Sequence, residues 1–289
     1  MELFDLEICL PVFLEGKWRK RLEFFRQAGL FNTRSVKTRL VILAGTQSEP
    51  GLGEGWPVDE VAVMPAHTDE AAAKIYLYYL NIGLAEIGRS RWFLRLDDDS
   101  STNVAGLVSS LDRSYSWREP QHLIASAVRS AHLAQPFAGW LYDLRCPHLV
   151  SKHFLHDWEV SATSQAAMLR ALCDPRSREI LRRASMMQGN WGDIGLAVCC
   201  RLAGLSPAHC PFLADGPAYD EFSLFYGEKH YIHGIAPDQE ESHLAFTNWL
   251  REASGEAASE AASPGMEQVQ PADGGRYQDS KNYSPHLDR

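Results

Sequence analysis

Arg91-Trp92-Phe93-Leu94-Arg95-Leu96-Asp97-Asp98-Asp99-Ser100 is the stretch on which the reading of this chain turns. Its apolar, aromatic run has the composition of a buried strand, and three consecutive aspartates end it abruptly. Three neighbouring carboxylates repel one another, and a hard divalent cation with oxygen ligands, Mg²⁺ or Mn²⁺, relieves that repulsion. Two plainer readings compete. One is a solvated acidic turn; the other has Asp99 or Ser100 capping a helix opened by Ser101-Thr102-Asn103. Position favours the cation, because ligands of open α/β sheets bind outside the carboxyl ends of the strands.

Upstream, residues 8–14, 40–45 and 60–65 are short apolar runs that read as strands. Between the first two, Trp18, Leu22 and Phe25 recur at helical spacing. Residues 68–80 read as a helix with a capping-box start at Thr68, and it leads directly into the aspartate strand. Strands alternating with helices at this spacing predict βαβ units and a mainly parallel sheet. Downstream, the pattern predicts a helix over 104–111, a strand over 123–128, a strand near 158–162 and a helix over 165–172. A further amphipathic helix opens at Asp193 and stops at Gly204. The plain role of Asp193 there is a carboxylate favoured by the helix dipole.

Residues 132–160 are rich in histidine and aromatics: His132, Phe137, Trp140, Tyr142, His148, His153, Phe154, His156 and Trp158. The histidine spacing fits no common metal pattern. Rings in a loop-rich stretch suit a sugar or acceptor surface better.

The 289 residues suit one large domain with a tail, and 45% hydrophobic residues allow a sizeable core. A net charge of -9 argues against a nucleic-acid surface. The six cysteines show no C-x-x-C spacing, and Cys199 and Cys200 read as small buried hydrophobes. The N-terminus lacks the marks of a signal peptide, and no apolar stretch is long enough to span a bilayer. The expectation is a cytoplasmic protein, peripheral to a membrane at most, or the catalytic domain of a longer one. Residues 251–289 are poor in large apolar side chains and read as a disordered or linker-like tail.

The strand end Trp92-Phe93-x-x-x-Asp97-Asp98-Asp99 resembles the DxD motif of GT-A-fold nucleotide-sugar glycosyltransferases, of the Fringe and β-1,3-galactosyltransferase kind. The resemblance implies a GT-A, Rossmann-like domain over residues 5–250. It also implies hexosyl transfer from a nucleotide-sugar, a UDP-sugar, to a hydroxyl of a glycan, protein or small molecule. In such enzymes the motif holds Mn²⁺ against the donor diphosphate. Asp97 and Asp99 then become metal ligands, and Asp97 and Asp98 also contact the donor. Lys74 becomes a basic residue facing the nucleotide, against the plain reading of a solvated helix lysine. The end of the first strand, residues 13–15, corresponds to the nucleobase seat.

Gly192-Asp193-Ile194-Gly195-Leu196-Ala197 overlays the family's Asp/Glu-Asp-Val-x-x-Gly segment, with Gly192 replacing the first acid and Ala197 the final glycine. Asp193 is retained and is the candidate base for an inverting transfer. Lys229-His230-Tyr231-Ile232-His233-Gly234 is similar to the late segment that brings a histidine to the metal. His233 is the first candidate and His230 the alternative, and Gly234 permits close backbone approach. Trp158, Glu159 and Trp191 correspond to acceptor contacts. A metal-dependent phospho- or nucleotidyltransferase would also use carboxylates at strand ends, but it needs an acid for a second ion that the sequence does not identify. A scaffold protein on a decayed transferase fold is the non-enzymatic alternative, favoured by Gly192.

Overall fold

Four parallel strands form the spine of the molecule: β1 (Phe4–Pro11), β2 (Thr38–Leu43), β3 (Glu60–Met64) and β4 (Ser90–Arg95). β1 lies between β2 and β4, and β3 lies beyond β2. On the far side of β4 the sheet continues through β9 (Ser161–Ser164), β6 (His122–Ile124) and β10 (Ala208–His209). β9 runs antiparallel to both β4 and β6, whereas β10 is parallel to β6. The computed structural model describes residues 3–14, 19, 22–23, 26, 35–46, 49–68, 71–96, 100–125, 128–130, 135–150, 154–156, 161–187, 192–215 and 231–233. Within these, the backbone alone is described for 71–72, 101, 128–130, 135, 154–156, 192–193, 214–215 and 231–233. Residues 234–289, with the expected tail, lie outside the described residues.

Helices cover both faces of the sheet, which is why β1 and β2 read as near-continuous apolar runs. Strand alternation sends Val41, Leu43 and Phe93 to one face. There they meet Ile75 and Tyr76 of α1 (Ala71–Asn81), Met168 of α5 (Gln165–Leu172), Ile180 and Leu181 of α6 (Pro175–Ala184), and Val198 and Cys199 of α7 (Gly192–Leu202). The opposite face carries Ile8, Leu10, Ile42 and Leu94 against Leu107, Val108 and Leu111 of α3 (Val104–Ser114). Trp92 is fully buried and its indole Nε1 donates to Asp112 Oδ1 at 2.8 Å, tying β4 to α3. Further helical segments are α2 (Leu84–Ile87) and α4 (Gln135–Asp143), beside a 3₁₀ turn at Pro147–Leu149. The architecture is α/β, with a mostly parallel sheet flanked by helices.

Local signals account for most boundaries. α5 starts where Ser164 Oγ accepts from the Ala167 amide, and α6 opens with Asp174 as its cap and Pro175 in the first turn. α7 ends in a Schellman motif: Gly204 has φ +73°, its amide donates to Arg201 O at 2.9 Å, and the Leu205 amide donates to Cys200 O at 2.8 Å. Cys199 and Cys200 are fully buried, as expected, and burial pushes the Cys199 thiol up to about 12. The strand expected over 123–128 divides. Its first part is β6, and Val128–Ser130 forms β7, paired with β8 (Phe154–His156) in a separate two-stranded sheet. Among the described residues no helix is long and apolar enough to cross a membrane.

A buried charge network lies on the α1 side of the sheet. Glu7, 1% exposed on β1, accepts from Tyr78 OH (2.6 Å), Ser90 Oγ (2.9 Å) and Arg39 Nη1 (3.0 Å), so its carboxylate joins β1, β2, β4 and α1. Arg39 also reaches Glu60 (2.8 Å) and Glu86 (2.7 Å). Burial opposes its charge, but the Glu7 and Glu86 carboxylates more than offset that and hold the guanidinium above its usual range. Burial and the adjacent Glu7 carboxylate raise Tyr78 well above an ordinary phenol, which keeps it a donor. Glu7→Ala leaves these donors buried without their common acceptor. The expected cost is about 3–5 kcal/mol of unfolding free energy, read by urea denaturation. A loss within about 0.5 kcal/mol would show that the network is incidental.

Candidate functional site

The order of the strands locates a crevice before any side chain is considered. From β1 the chain crosses to β2 and β3 on one side, then returns to place β4 on the other. Between β1 and β4 the direction of winding reverses, and the carboxyl ends of those two strands are where α/β sheets take ligands. The pair stays hydrogen-bonded to its end, since the Leu96 amide donates to Cys9 O at 3.0 Å. Asp97 follows at once. Asp97, Asp98 and Asp99 themselves lie outside the described residues, between Leu96 and Ser100, which are both buried.

The plain alternative of a helix cap is overturned. Asn103, not Asp99 or Ser100, caps α3, its Oδ1 accepting from the Gly106 amide at 2.9 Å. Ser101–Thr102 are extended and form β5 instead of a first helical turn. β5 pairs antiparallel with β12 (Tyr231–His233), with Tyr231 opposite Thr102 and Ile232 opposite Ser101. One further step of that register sets His233 level with Ser100, next in the chain to Asp99. β12 also pairs with β11 (Leu213–Asp215), which sets Asp215 opposite His233. The ladder thus brings backbone from residues 215, 233 and 100 to one end of a three-stranded sheet.

Two cations stand at the strand ends. Lys74 is 1% exposed; its Nζ donates to Val12 O at 2.7 Å, just past β1, and lies 4.6 Å from the centre of the Phe13 ring. It is not a solvated helix lysine. The helix turn after Ala73 carries it inward, and a carbonyl at the end of the neighbouring strand receives it. Arg95, the last residue of β4, is 7% exposed and registers with Cys9. Alternation puts it on the Phe93 face, toward α1. Neither Arg95 nor Asp215 is singled out by the sequence: a charged residue closing an apolar run and an aspartate in a three-residue strand carry no periodic signal.

The first turn of α7 packs against α1. Gly195 lies so close to α1 that a Cβ there would be 2.0 Å from Tyr76 Cε1, and Tyr76 is 2% exposed. Tyr76 stands two residues after Lys74, and Asp193 two residues before Gly195. Asp193 thus lies in the first turn of the helix that packs against α1, which carries Lys74.

No family model matches the chain, and no curated protein matches it.

Other expected site residues distribute less evenly. His230, Trp158, Glu159 and Trp191 lie outside the described residues, and His233 is described in its backbone. Among the described residues no group of three or more His, Cys, Asp or Glu side chains is arranged to hold a metal ion. Phe137 does not belong to an acceptor surface. The helical period of α4 turns Phe137 and Leu141 inward, both 0% exposed, and the Phe137 ring centre lies 6.5 Å from that of Tyr76. Trp140 packs edge-on against Phe137 at 5.1 Å, and Tyr142, on the outer side, is 61% exposed.

The Gly195 contact can be tested by sign. Alanine normally stabilises a helix interior relative to glycine by up to about 1 kcal/mol. Here the added methyl meets a buried ring, and Gly195→Ala is expected to lose about 1–3 kcal/mol in urea unfolding. A gain in stability would show that α7 does not depend on this close approach.

Proposed function

We propose that the protein is a metal-dependent glycosyltransferase of the GT-A kind, moving a sugar from a nucleoside-diphosphate donor to an acceptor hydroxyl. The observation that carries this reading is that β4 leads into Asp97-Asp98-Asp99 at the β1–β4 switch point, and that β5, just after them in the chain, pairs with the β12 strand that ends in His233. Crevices of this kind take nucleotides across the reversal of strand order.

A donor set of carboxylates with one imidazole suits Mn²⁺ or Mg²⁺, so Asp97, Asp99 and His233 are the residues that would hold the cation. Bound there, it supplies Lewis-acid stabilisation of the charge that develops on the leaving diphosphate. Lys74 and Arg95 add buried positive charge at the ends of β1 and β4, which suits a polyanionic donor beside three carboxylates. Asp98 completes the donor contacts. Asp193 takes the proton from the acceptor hydroxyl as that oxygen bonds to the anomeric carbon and the bond from this carbon to the diphosphate oxygen breaks. Attack from the face opposite the leaving group gives inversion.

The test is donor hydrolysis across a panel of UDP-, GDP-, CMP- and TDP-sugars with Mn²⁺, scored as released nucleotide. One donor is expected to be cleaved slowly without acceptor, and Asp99→Ala to lower that rate by about a hundredfold or more. Asp193→Asn should still bind donor while losing transfer to acceptor; equal transfer in that variant would remove Asp193 as the base. Silence across the panel, with no metal-dependent nucleotide binding, would overturn the reading in favour of a scaffold on this fold.

A further inference from the structure

α6 turns one side to the core and the other to solvent. Ser177, Ile180, Leu181 and Ala184 are its buried positions, so the helical period brings Arg178 and Arg182 onto the opposite ridge, where both are exposed. The same ridge ends in Met186, two residues past the helix and 74% exposed. Polar helix faces are ordinarily solvated, and an arginine ridge by itself asks for no partner. The apolar surface around this one sets it apart.

Among the described residues four large apolar side chains are exposed, and three of them flank α6. Met186 follows it in the chain. Tyr142 adjoins Asp143, whose carboxylate accepts from Arg183 Nη1 at 2.8 Å. Leu84 lies four residues beyond Leu80, whose carbonyl accepts from Arg178 Nη2 at 3.2 Å. Exposed apolar side chains gathered on one side of a protein, with charge between them, mark an interaction surface.

Charge decides the kind of partner. Residues 174–184 hold Arg176, Arg178, Arg182 and Arg183 against Asp174 and Glu179, a net +2 in a chain whose net charge is -9. Asp143 and Arg145, at the end of α4, cancel. Arg182 and Arg183 share the single carboxylate of Glu179, and Arg178 has no carboxylate partner among the described residues. Guanidinium N–H groups are left for an anion, and phosphate takes them in parallel pairs.

We infer that this side of α6 docks on an anionic phospholipid bilayer, with the arginines against headgroup phosphates and Met186 and Tyr142 entering the interface. Arginines on a helix surface beside apolar anchors match such a bilayer. Tyrosine suits that depth, with an apolar ring and a polar end. A soluble phosphate would engage the arginines and leave the apolar side chains exposed. The helix lies along the bilayer surface and not within it, because Ile180 and Leu181 are already committed to the core shared with α1 and α7. The inference goes beyond the transferase reading and does not depend on it.

Co-sedimentation of the full-length protein with vesicles tests it, using phosphatidylcholine alone and equal parts of phosphatidylcholine and phosphatidylglycerol. Binding to the mixed vesicles only is expected, weakening as salt is added. A chain of net charge -9 is otherwise repelled by that surface, so binding has to come from a local patch. Each arginine is expected to strengthen partitioning about fivefold, so Arg178→Ala with Arg182→Ala should lower it about thirtyfold. Met186→Ser should lower it roughly fivefold. All three side chains are exposed, so these variants are expected to fold, which an unchanged urea midpoint checks. Equal binding to both kinds of vesicle would overturn the charge complementarity on which the inference stands. Binding to mixed vesicles that survives the double variant would overturn α6 as the surface. Binding to neither would overturn the bilayer as partner and favour an acidic protein segment in its place.

Discussion

Parallel strands cannot follow one another without a crossover, and the hand of that crossover is fixed. β1 is flanked by β2 on one side and β4 on the other, so the chain must wind away from it in both directions. In α/β sheets such a reversal of winding is where ligands bind, outside the carboxyl ends of the strands. The location of the site is a consequence of topology. Asp97-Asp98-Asp99 follow directly on Leu96, which is still hydrogen-bonded to β1.

Electrostatics then decides what the crevice can hold. Three carboxylates on one strand exit would repel, and Lys74 and Arg95 bring two buried positive charges to the adjoining strand ends. The arrangement is maintained from the far side of the same core by Glu7, whose carboxylate receives Arg39, Tyr78 and Ser90 and so fixes α1 against β1, β2 and β4. Lys74 rides on that helix. The contact between Gly195 and Tyr76 extends the chain of dependence to α7, and through it to Asp193.

Much of this was legible in the residues. Strands buried on both faces read as apolar runs, which is why β1 to β4 were readable to within a few residues, and the Gly204 stop of α7 was written in the conformation that position requires. What failed to show has physical reasons. β5 has two residues, too few for any periodicity, and Ser101-Thr102-Asn103 looked like a helix start because all three are good caps. Lys74 carries a charge on a helix, and only the tertiary approach of the Val12 carbonyl explains its burial. Phe137 was misjudged when aromatics were counted without helical phase. The pairing of Asp215 with His233, and of β12 with β5, joins segments distant in sequence through strands of three residues or fewer, and no local pattern encodes it.

The most direct measurement is anomalous diffraction from crystals grown with Mn²⁺ and a nucleoside diphosphate. The account predicts one Mn²⁺ between the carboxylates of Asp97 and Asp99 and the diphosphate, with a His233 ring nitrogen in its coordination sphere beside Ser100. An ion bound elsewhere, or nucleotide seated in the crevice with no ion at the end of β4, would contradict it.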